Sequence, residues 1–371
     1  MTSDSLSFAD QTRHAAPIAP GSTIGILGGG QLGRMLAMAA AQLGYCCHIY
    51  APDGDSVAGD VSAGFTCAPY DDTGALAEFA AACDVITYEF ENVPVAPLPS
   101  LGDTPLRSPA RALEIAQDRL AEKRFVEQHG GTPAPFMAVE SEAEFTAALE
   151  RIGTPGILKT RRDGYDGKGQ WRIMSPRDAE DLTLSGKQLI YEGFVDFTAE
   201  FSVILVRGLD GEIRFWDSAQ NDHSSGILSR SVVPAGAAVA AQVPAARELA
   251  ARVAEALGYV GVLTLEFFAT ETGPVFNEMA PRVHNSGHWT IEGARTSQFE
   301  NHIRAICGLP LGLTDTIVPA VRMDNLIGEE ANDWLSLLAD PANHLHLYGK
   351  AEINPGRKMG HVTRLLTDGH G

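Results

Sequence analysis

The sequence predicts a multidomain protein of mixed α/β and α+β class: a parallel-sheet unit first, a mostly antiparallel unit next and a small unit last. Three observations carry that expectation. A short apolar strand at 23–27 runs into Gly28-Gly29-Gly30, and the following stretch, 31–43, sets Leu32, Leu36, Ala39 and Leu43 on one helical face. From Gly156 onward the pattern changes to closely spaced strands divided by turn residues. With 371 residues, 44% hydrophobic and 20% charged, the chain exceeds one ordinary domain and can bury a large core, so two or three domains are expected and disorder is excluded.

Taken in order, residues 1–22 are small and polar, lack the basic start and apolar middle of a secretory signal, and read as a flexible leader. A first unit spans 23–115. Strands at 46–50 and 84–89 with alanine-rich helical pattern between them make it a βαβ-type parallel sheet, and Gly44 closes its first helix. Ser108-Pro109 and Asp118 mark helix starts, and Ser141 with Glu144 matches a capping box ahead of 145–152. Within a central unit, 116–313, strands are expected at 156–159, 170–174, 188–192, 199–206 and 212–216. A helix over 244–257 stopped by Gly258 then leads to strands at 260–269 and 274–278, joined by a turn over 270–273. Residues 314–371 form the small last unit.

The formal charge of −19 repels nucleic acid and anionic membrane, so the expected partners are small molecules, with anions met by locally concentrated Lys and Arg. The longest apolar runs, such as 260–268, fall short of the roughly 20 residues that span a bilayer. Cys46, Cys47, Cys67, Cys83 and Cys307 contain no C-x-x-C pair and fit reduced thiols in a cytoplasm.

Gly28-x-Gly30-x-x-Gly33 follows a strand and opens a helix, the spacing that lets backbone amides approach phosphate. An NAD enzyme would place an acidic residue at the end of the second strand; Asp53, three residues beyond Tyr50, matches poorly, so no NAD is expected. A turn that only packs helix on strand is the plainer alternative, and a different anionic ligand is preferred to both. Lys159 to Gln170 holds four cations and three glycines within twelve residues, which suits a flexible cover over polyphosphate better than a solvated hairpin.

Glu266 and Glu278 lie on the two strands of the expected hairpin. Pairing Thr270 with Pro274 would set them face to face, and two facing carboxylates need a cation between them, so with Asn277 they form a candidate magnesium site. In the loop that follows, Arg282, His284 and Asn285 suit a small planar anion. His284, His288 and Glu292 have zinc-like helical spacing, but Asn285-Ser286-Gly287 interrupts the helix, so no zinc is expected. The basic, turn-rich segment from Lys350 to His361 is either a solvated loop or a second phosphate site.

From about Thr23 to His361 these segments resemble the 5-(carboxyamino)imidazole ribonucleotide synthase family, ATP-grasp enzymes of bacterial and fungal purine synthesis. The resemblance is carried by Gly28-Gly-Gly-Gln-Leu-Gly-Arg-Met35, Arg162-Asp-Gly-Tyr-Asp-Gly-Lys-Gly-Gln170, Asn277-Glu-Met-Ala-Pro-Arg-Val-His-Asn-Ser-Gly-His-Trp289 and Asn354-Pro-Gly-Arg-Lys-Met-Gly-His361. It implies an ATP-grasp architecture: an N-terminal Rossmann-like domain, a central ATP-grasp domain with a mobile lid and a small C-terminal domain. It also implies ATP held by Arg119, Lys159, Gly164, Tyr165, Asp166, Gly167, Lys168, Gly169, Gln170, Glu192, Gly193, Phe194, Val195, Glu200 and His223, with Glu200 or Glu192 on the ribose. Glu266, Asn277 and Glu278 would hold two magnesium ions on the phosphates.

The same resemblance makes Lys159, Asp166, Arg282, His284 and Asn285 catalytic, the last three orienting bicarbonate. Gln31, Leu32, Glu89, Tyr165, Asp166, Lys350 and Arg357 would receive aminoimidazole ribonucleotide, the last two at its 5′-phosphate. A homodimer is the family expectation. Two alternatives share the architecture: a formate-dependent glycinamide ribonucleotide transformylase and a noncatalytic nucleotide sensor. The leader of about twenty residues departs from the family pattern and carries no motif.

Overall fold

A computed structural model describes residues 16–164, 169–179, 182, 184 and 186–366. The N-terminal sheet is parallel, in the order β3-β2-β1-β4, with β1 Thr23–Leu27, β2 Cys46–Ala51, β3 Gly64–Cys67 and β4 Val85–Tyr88. Helix α1 (Gln31–Gln42) buries Leu32, Leu36 and Ala39 as its periodicity predicts, and Gly44 at φ +80° ends it. The strand β3 escaped the sequence reading. It has four residues at a sheet edge and is only partly buried, too short for a periodic signal.

Helices α2 (Ala110–Ala116) and α3 (Arg119–Gln128) connect to the next sheet, and the Asp118 carboxylate caps α3 by accepting from the Leu120 and Ala121 amides. That second sheet is antiparallel, in the order β5-β8-β6-β7: β5 Phe136–Val139, β6 Gly156–Thr160, β7 Gln170–Ile173 and β8 Leu189–Gly193. Helix α4 (Glu142–Ile152), capped by Ser141, packs Phe145 and Ala148 against Leu158 and Tyr191.

The third sheet has nine strands. These are β9 Ala199–Arg207, β10 Ile213–Phe215, β11 Ala219–Ser224, β12 Ile227–Val233, β13 Gly261–Thr270, β14 Gly273–Ala280, β15 Ala320–Ile327, β16 Asn343–Leu347 and β17 Lys358–Leu366. Its order is β14-β13-β9-β11-β12-β15-β17-β16, with β10 beside β9. β5, β11 and β12 were also missed from sequence; β11 carries Asn, Asp, His and Ser, and β12 two Ser and an Arg, polar residues that mask the strand pattern. Residues 314–366 extend the central sheet by three strands instead of building a sheet of their own.

Alternation along β9 and β13 explains where the site opens. One face, with Phe201, Val203, Leu263 and Phe267, is covered by helix α5 (Val243–Ala256). The other is apolar at one end, where Ile204, Val206 and Val262 share a core with α1 and helix α6 (Gln298–Ile306). At its far end that same face turns polar, with Glu200, Ser202, Thr264 and Glu266. No helix among the described residues is long and apolar enough to cross a membrane.

Candidate active site

The β13–β14 hairpin closes on Glu271 and Thr272 with Thr270 opposite Gly273, one residue away from the expected pairing with Pro274. A bulge restores the expected alignment further along: Phe267 faces Phe276 but Leu265 faces Met279, so Glu266 stands against both Asn277 and Glu278. The extra residue sets Asn277 and Glu278 together opposite one buried carboxylate in the strand register. Burial first, and Glu278 second, push the Glu266 carboxyl above its usual range. Burial would raise Glu278 too, but Arg119 above all, then Lys159 and Lys123, holds it low; the Arg119 guanidinium lies 3.2 Å from Glu278 Oε2. Two repelling carboxylates with an amide residue beside them are hard oxygen donors of the kind that fit magnesium.

Beside the bulge lies a buried ionic cluster. Glu192 Oε2 accepts from Lys159 Nζ at 2.9 Å and lies 3.2 Å from Lys123 Nζ, which also donates to the Asn277 carbonyl at 3.1 Å. Burial opposes the charge on Glu192, yet Lys123 and Lys159 hold its carboxyl down at about 2. Its other oxygen, Oε1, is buried with no protein partner among the described residues. The Glu122 carboxylate accepts from the Met279 amide at 2.6 Å and is pushed up to about 8, mainly by burial. Arg119 also donates to the Gly164 carbonyl at 2.9 Å, tying α3 to the glycine-rich loop. Gly169 and Gln170 end that loop, whereas Tyr165, Asp166, Gly167 and Lys168 lie outside the described residues.

Past β14 the chain makes a 3-10 turn at Asn285–Gly287, which parts His284 from His288 as its composition predicts. His284 Nε2 reaches Glu266 Oε1 at 3.2 Å, and burial, then Arg282 and Lys358, keeps the imidazole well below its usual pKa and neutral. The buried Gln298 side chain clamps this loop: its Oε1 accepts from the His284 amide at 2.9 Å and its Nε2 donates to the His284 carbonyl at 2.6 Å. Asn285 exchanges two hydrogen bonds with Asn325, at 2.9 and 2.7 Å. On the neighbouring strands His223 Nδ1 and Glu200 Oε2 lie 3.0 Å apart; burial lowers the imidazole pKa, but that bond and Glu266 raise it overall. Gly193 ends β8 and Phe194 and Val195 follow it, with Phe194 exposed.

The glycine turn sits across from this loop. Gly28 takes φ +124°, and a Cβ there would come within 2.6 Å of Glu89, whose Oε1 accepts from the Gly30 amide at 2.7 Å. The anion nearest the turn is therefore the protein's own carboxylate, with Gln31 and Leu32 opening α1 beside it. Burial raises the Glu89 carboxyl, and the Gly30 amide, Arg282 and Lys350 partly offset this. Arg282 reaches Glu91 Oε2 at 2.6 Å, joining the first sheet to the third. Lys350 Nζ donates to the Lys358 carbonyl at 2.7 Å, and Arg357 Nη1 to the Glu352 carbonyl at 2.9 Å.

Family models describe the same three segments: a ribonucleotide synthetase preATP-grasp domain over 22–117, an ATP-grasp domain over 124–299 and a phosphoribosylaminoimidazole carboxylase C-terminal domain over 322–370. N5-carboxyaminoimidazole ribonucleotide synthase of Brucella melitensis is 51% identical over 352 residues, 93% of this chain and 97% of that one. The chain belongs to the N5-carboxyaminoimidazole ribonucleotide synthase family. Among solved structures, the Staphylococcus aureus synthetase with ADP matches at TM-score 0.91 and 35% identity, covering 95% of each chain. The Aspergillus clavatus synthase with ADP and 5-aminoimidazole ribonucleotide matches at TM-score 0.87 and 30% identity, covering 94% of this chain and 95% of that one.

Several residues of this synthase site went unread in the sequence. Lys123 lies one helical turn after Arg119 and so shares its face, a signal that was available. Gln298 and Asn325 are remote in sequence from the loop they hold and gave none.

Two outcomes follow from this geometry. Glu192 is held near 2 against an ordinary 4.5, so its contribution to stability is complete above pH 4.5 and is lost as pH falls toward 2. Urea unfolding at stepped pH should show a shallower loss across that window in Glu192→Gln than in the wild type; equal slopes would refute the assignment. Gln298→Leu should lower turnover roughly 100-fold by freeing the His284 backbone. ADP affinity, measured calorimetrically, should stay unchanged, whereas a parallel loss of ADP binding would make Gln298 merely structural.

Proposed function

We propose that this chain is an ATP-dependent carbon–nitrogen ligase of purine biosynthesis, carboxylating 5-aminoimidazole ribonucleotide to N5-carboxyaminoimidazole ribonucleotide. The observation that carries the reading is the meeting of the carboxylate bulge and His284 loop of the third sheet with the lysine cluster of the second sheet and α3, in a chain 51% identical to such a synthase.

On this reading a bicarbonate oxygen attacks the γ-phosphorus of ATP while the bond to ADP breaks, giving carboxyphosphate. Its carbon passes to the exocyclic amine of the ribonucleotide: the new C–N bond forms, the C–O bond to phosphate breaks, and the amine proton leaves to phosphate or a nearby side chain. Positioning and charge neutralisation dominate such a transfer. Arg119, Lys159, Glu192, the 193–195 segment, Glu200, His223 and the loop from Gly164 to Gln170 receive ATP, with Lys159 and Lys168 beside the transferring group. Two magnesium ions, held by Glu266, Asn277 and Glu278, supply charge neutralisation on the phosphates when bound. Arg282 and Asn285 orient bicarbonate, and His284, kept neutral by its burial, offers a hydrogen bond without adding charge. The Gln31 and Leu32 amides, Glu89, Tyr165 and Asp166 receive the ribonucleotide, with Lys350 and Arg357 on its phosphate.

We assign the units as 23–115, 116–313 and 314–371 after a leader over 1–22, and read the enzyme as a cytoplasmic homodimer. The free thiols support that compartment, and the dimer rests on the family resemblance alone.

A coupled ADP-release assay with MgATP and radiolabelled bicarbonate should give ribonucleotide-dependent ADP and label in an acid-labile product. Turnover with formate in place of bicarbonate would instead indicate a transformylase, and nucleotide binding without ADP release a sensor. Glu278→Gln should cut that turnover by about 100-fold or more through loss of a metal ligand, so wild-type rates in the variant would remove the metal assignment. Arg357→Ala should raise the ribonucleotide KM roughly tenfold with little change in kcat; an unchanged KM would move the phosphate elsewhere.

A further inference from the structure

The face of the large sheet turned away from His284 carries an arginine-lined cleft whose arginines are outside the residues assigned to the synthase reaction. Side chains alternate between faces along β12, β15 and β17, which are adjacent and antiparallel. Asn325 faces the site, where it holds Asn285, so Arg322 and Asp324 belong to the opposite face, in register with Arg364 and Arg230.

Asp324 is the hub of that face. Its Oδ1 accepts from Arg230 Nε at 2.7 Å and its Oδ2 from Arg322 Nε at 2.6 Å, so one carboxylate is shared by two guanidiniums. Among the described residues neither arginine makes a second ion pair, although Asp222 stands opposite Arg230 on β11 and adds to its acidic surroundings. Arg364 stands directly opposite Arg322, a like-charged cross-strand pair that destabilises a sheet unless an anion intervenes. The Arg364 Nε donates to Asn343, and its only nearby carboxylate among the described residues, Asp340, is 3.5 Å away.

Above these arginines opens a cleft of about 690 Å³, within the size range of small-molecule sites. Ser224 and Ser225, at the tip of the β11–β12 hairpin, wall one side, and Ile327, Glu330 and Leu337 the other. Glu330, whose Oε2 accepts from the Ile327 amide at 2.8 Å, keeps its charge, so the lining sets three arginines against two carboxylates, Asp324 and Glu330. Three guanidiniums against the carboxylates of Asp324 and Glu330 leave the lining net positive in a chain of net charge −19, which a small anion can use.

We propose that this cleft binds a small phosphate-bearing anion in the forks of Arg230, Arg322 and Arg364, separately from the substrates of the reaction. Free phosphate and a phosphate monoester present the same group to those forks.

The test uses full-length protein with its reaction site filled by MgADP and aminoimidazole ribonucleotide. Inorganic phosphate and ribose 5-phosphate are titrated calorimetrically at constant ionic strength, with chloride as control. Wild type should bind one or both; tighter binding of phosphate names the free ion as the source, and tighter binding of ribose 5-phosphate names an ester. Arg322→Gln combined with Arg364→Gln should weaken that binding by about tenfold or more. Its Tm without phosphate should stay level or rise, since a like-charged pair is gone. If that variant does not fold, Arg230→Gln carries the same comparison. No binding beyond the chloride control, or equal binding in wild type and variant, overturns the proposal.

Discussion

A buried carboxylate facing a second carboxylate across a bulge is the constraint around which the rest of this protein is arranged. Glu266 sits where burial and Glu278 both disfavour its charge, and every neighbouring feature answers that problem. Arg119 and the lysines keep Glu278 ionised, and His284 contacts Glu266 as a neutral ring. Such a pair is costly in the protein alone and becomes favourable when a dication and phosphates share the space.

That electrostatic centre also joins the three sheets. Lys159 on β6 and Lys123 on α3 meet Glu192 on β8, while Lys123 holds the Asn277 carbonyl of the bulge on β14. Arg282, just beyond β14, reaches Glu91 beyond β4, and Thr87 on β4 lies 2.9 Å from His302 on α6. The three sheets are thus held in one ionic and hydrogen-bonded frame. Displacement of one sheet would break pairs whose members are buried, which is the expensive way to lose an interaction.

Legibility followed chemistry more closely than distance. The glycine turn, the Asp118 and Ser141 caps and the helix ending at Gly44 act over a few residues, so their signals survive in a linear reading. β11 and β12 did not, because their Asn221, His223 and Ser231 face a polar site and mask the alternation of a half-buried strand. The hairpin register was misjudged by one residue at its turn, and the bulge then restored the face-to-face carboxylates. A bulge depends on how two strands twist against their neighbours and leaves no local mark.

By itself the sequence determined the class of sheet in the first two parts and the family to which the chain belongs. The tertiary structure alone decided that Asn277 and Glu278 jointly oppose Glu266, that Gln298 and Asn325 clamp the His284 loop, and that Glu89 lies over the glycine turn. It also decided which arginines share a face, since Arg230, Arg322 and Arg364 meet only through strand pairing. The physical reason is common to all: caps, turns and periodicities are local interactions, whereas these contacts join residues whose proximity exists only after the sheets have formed.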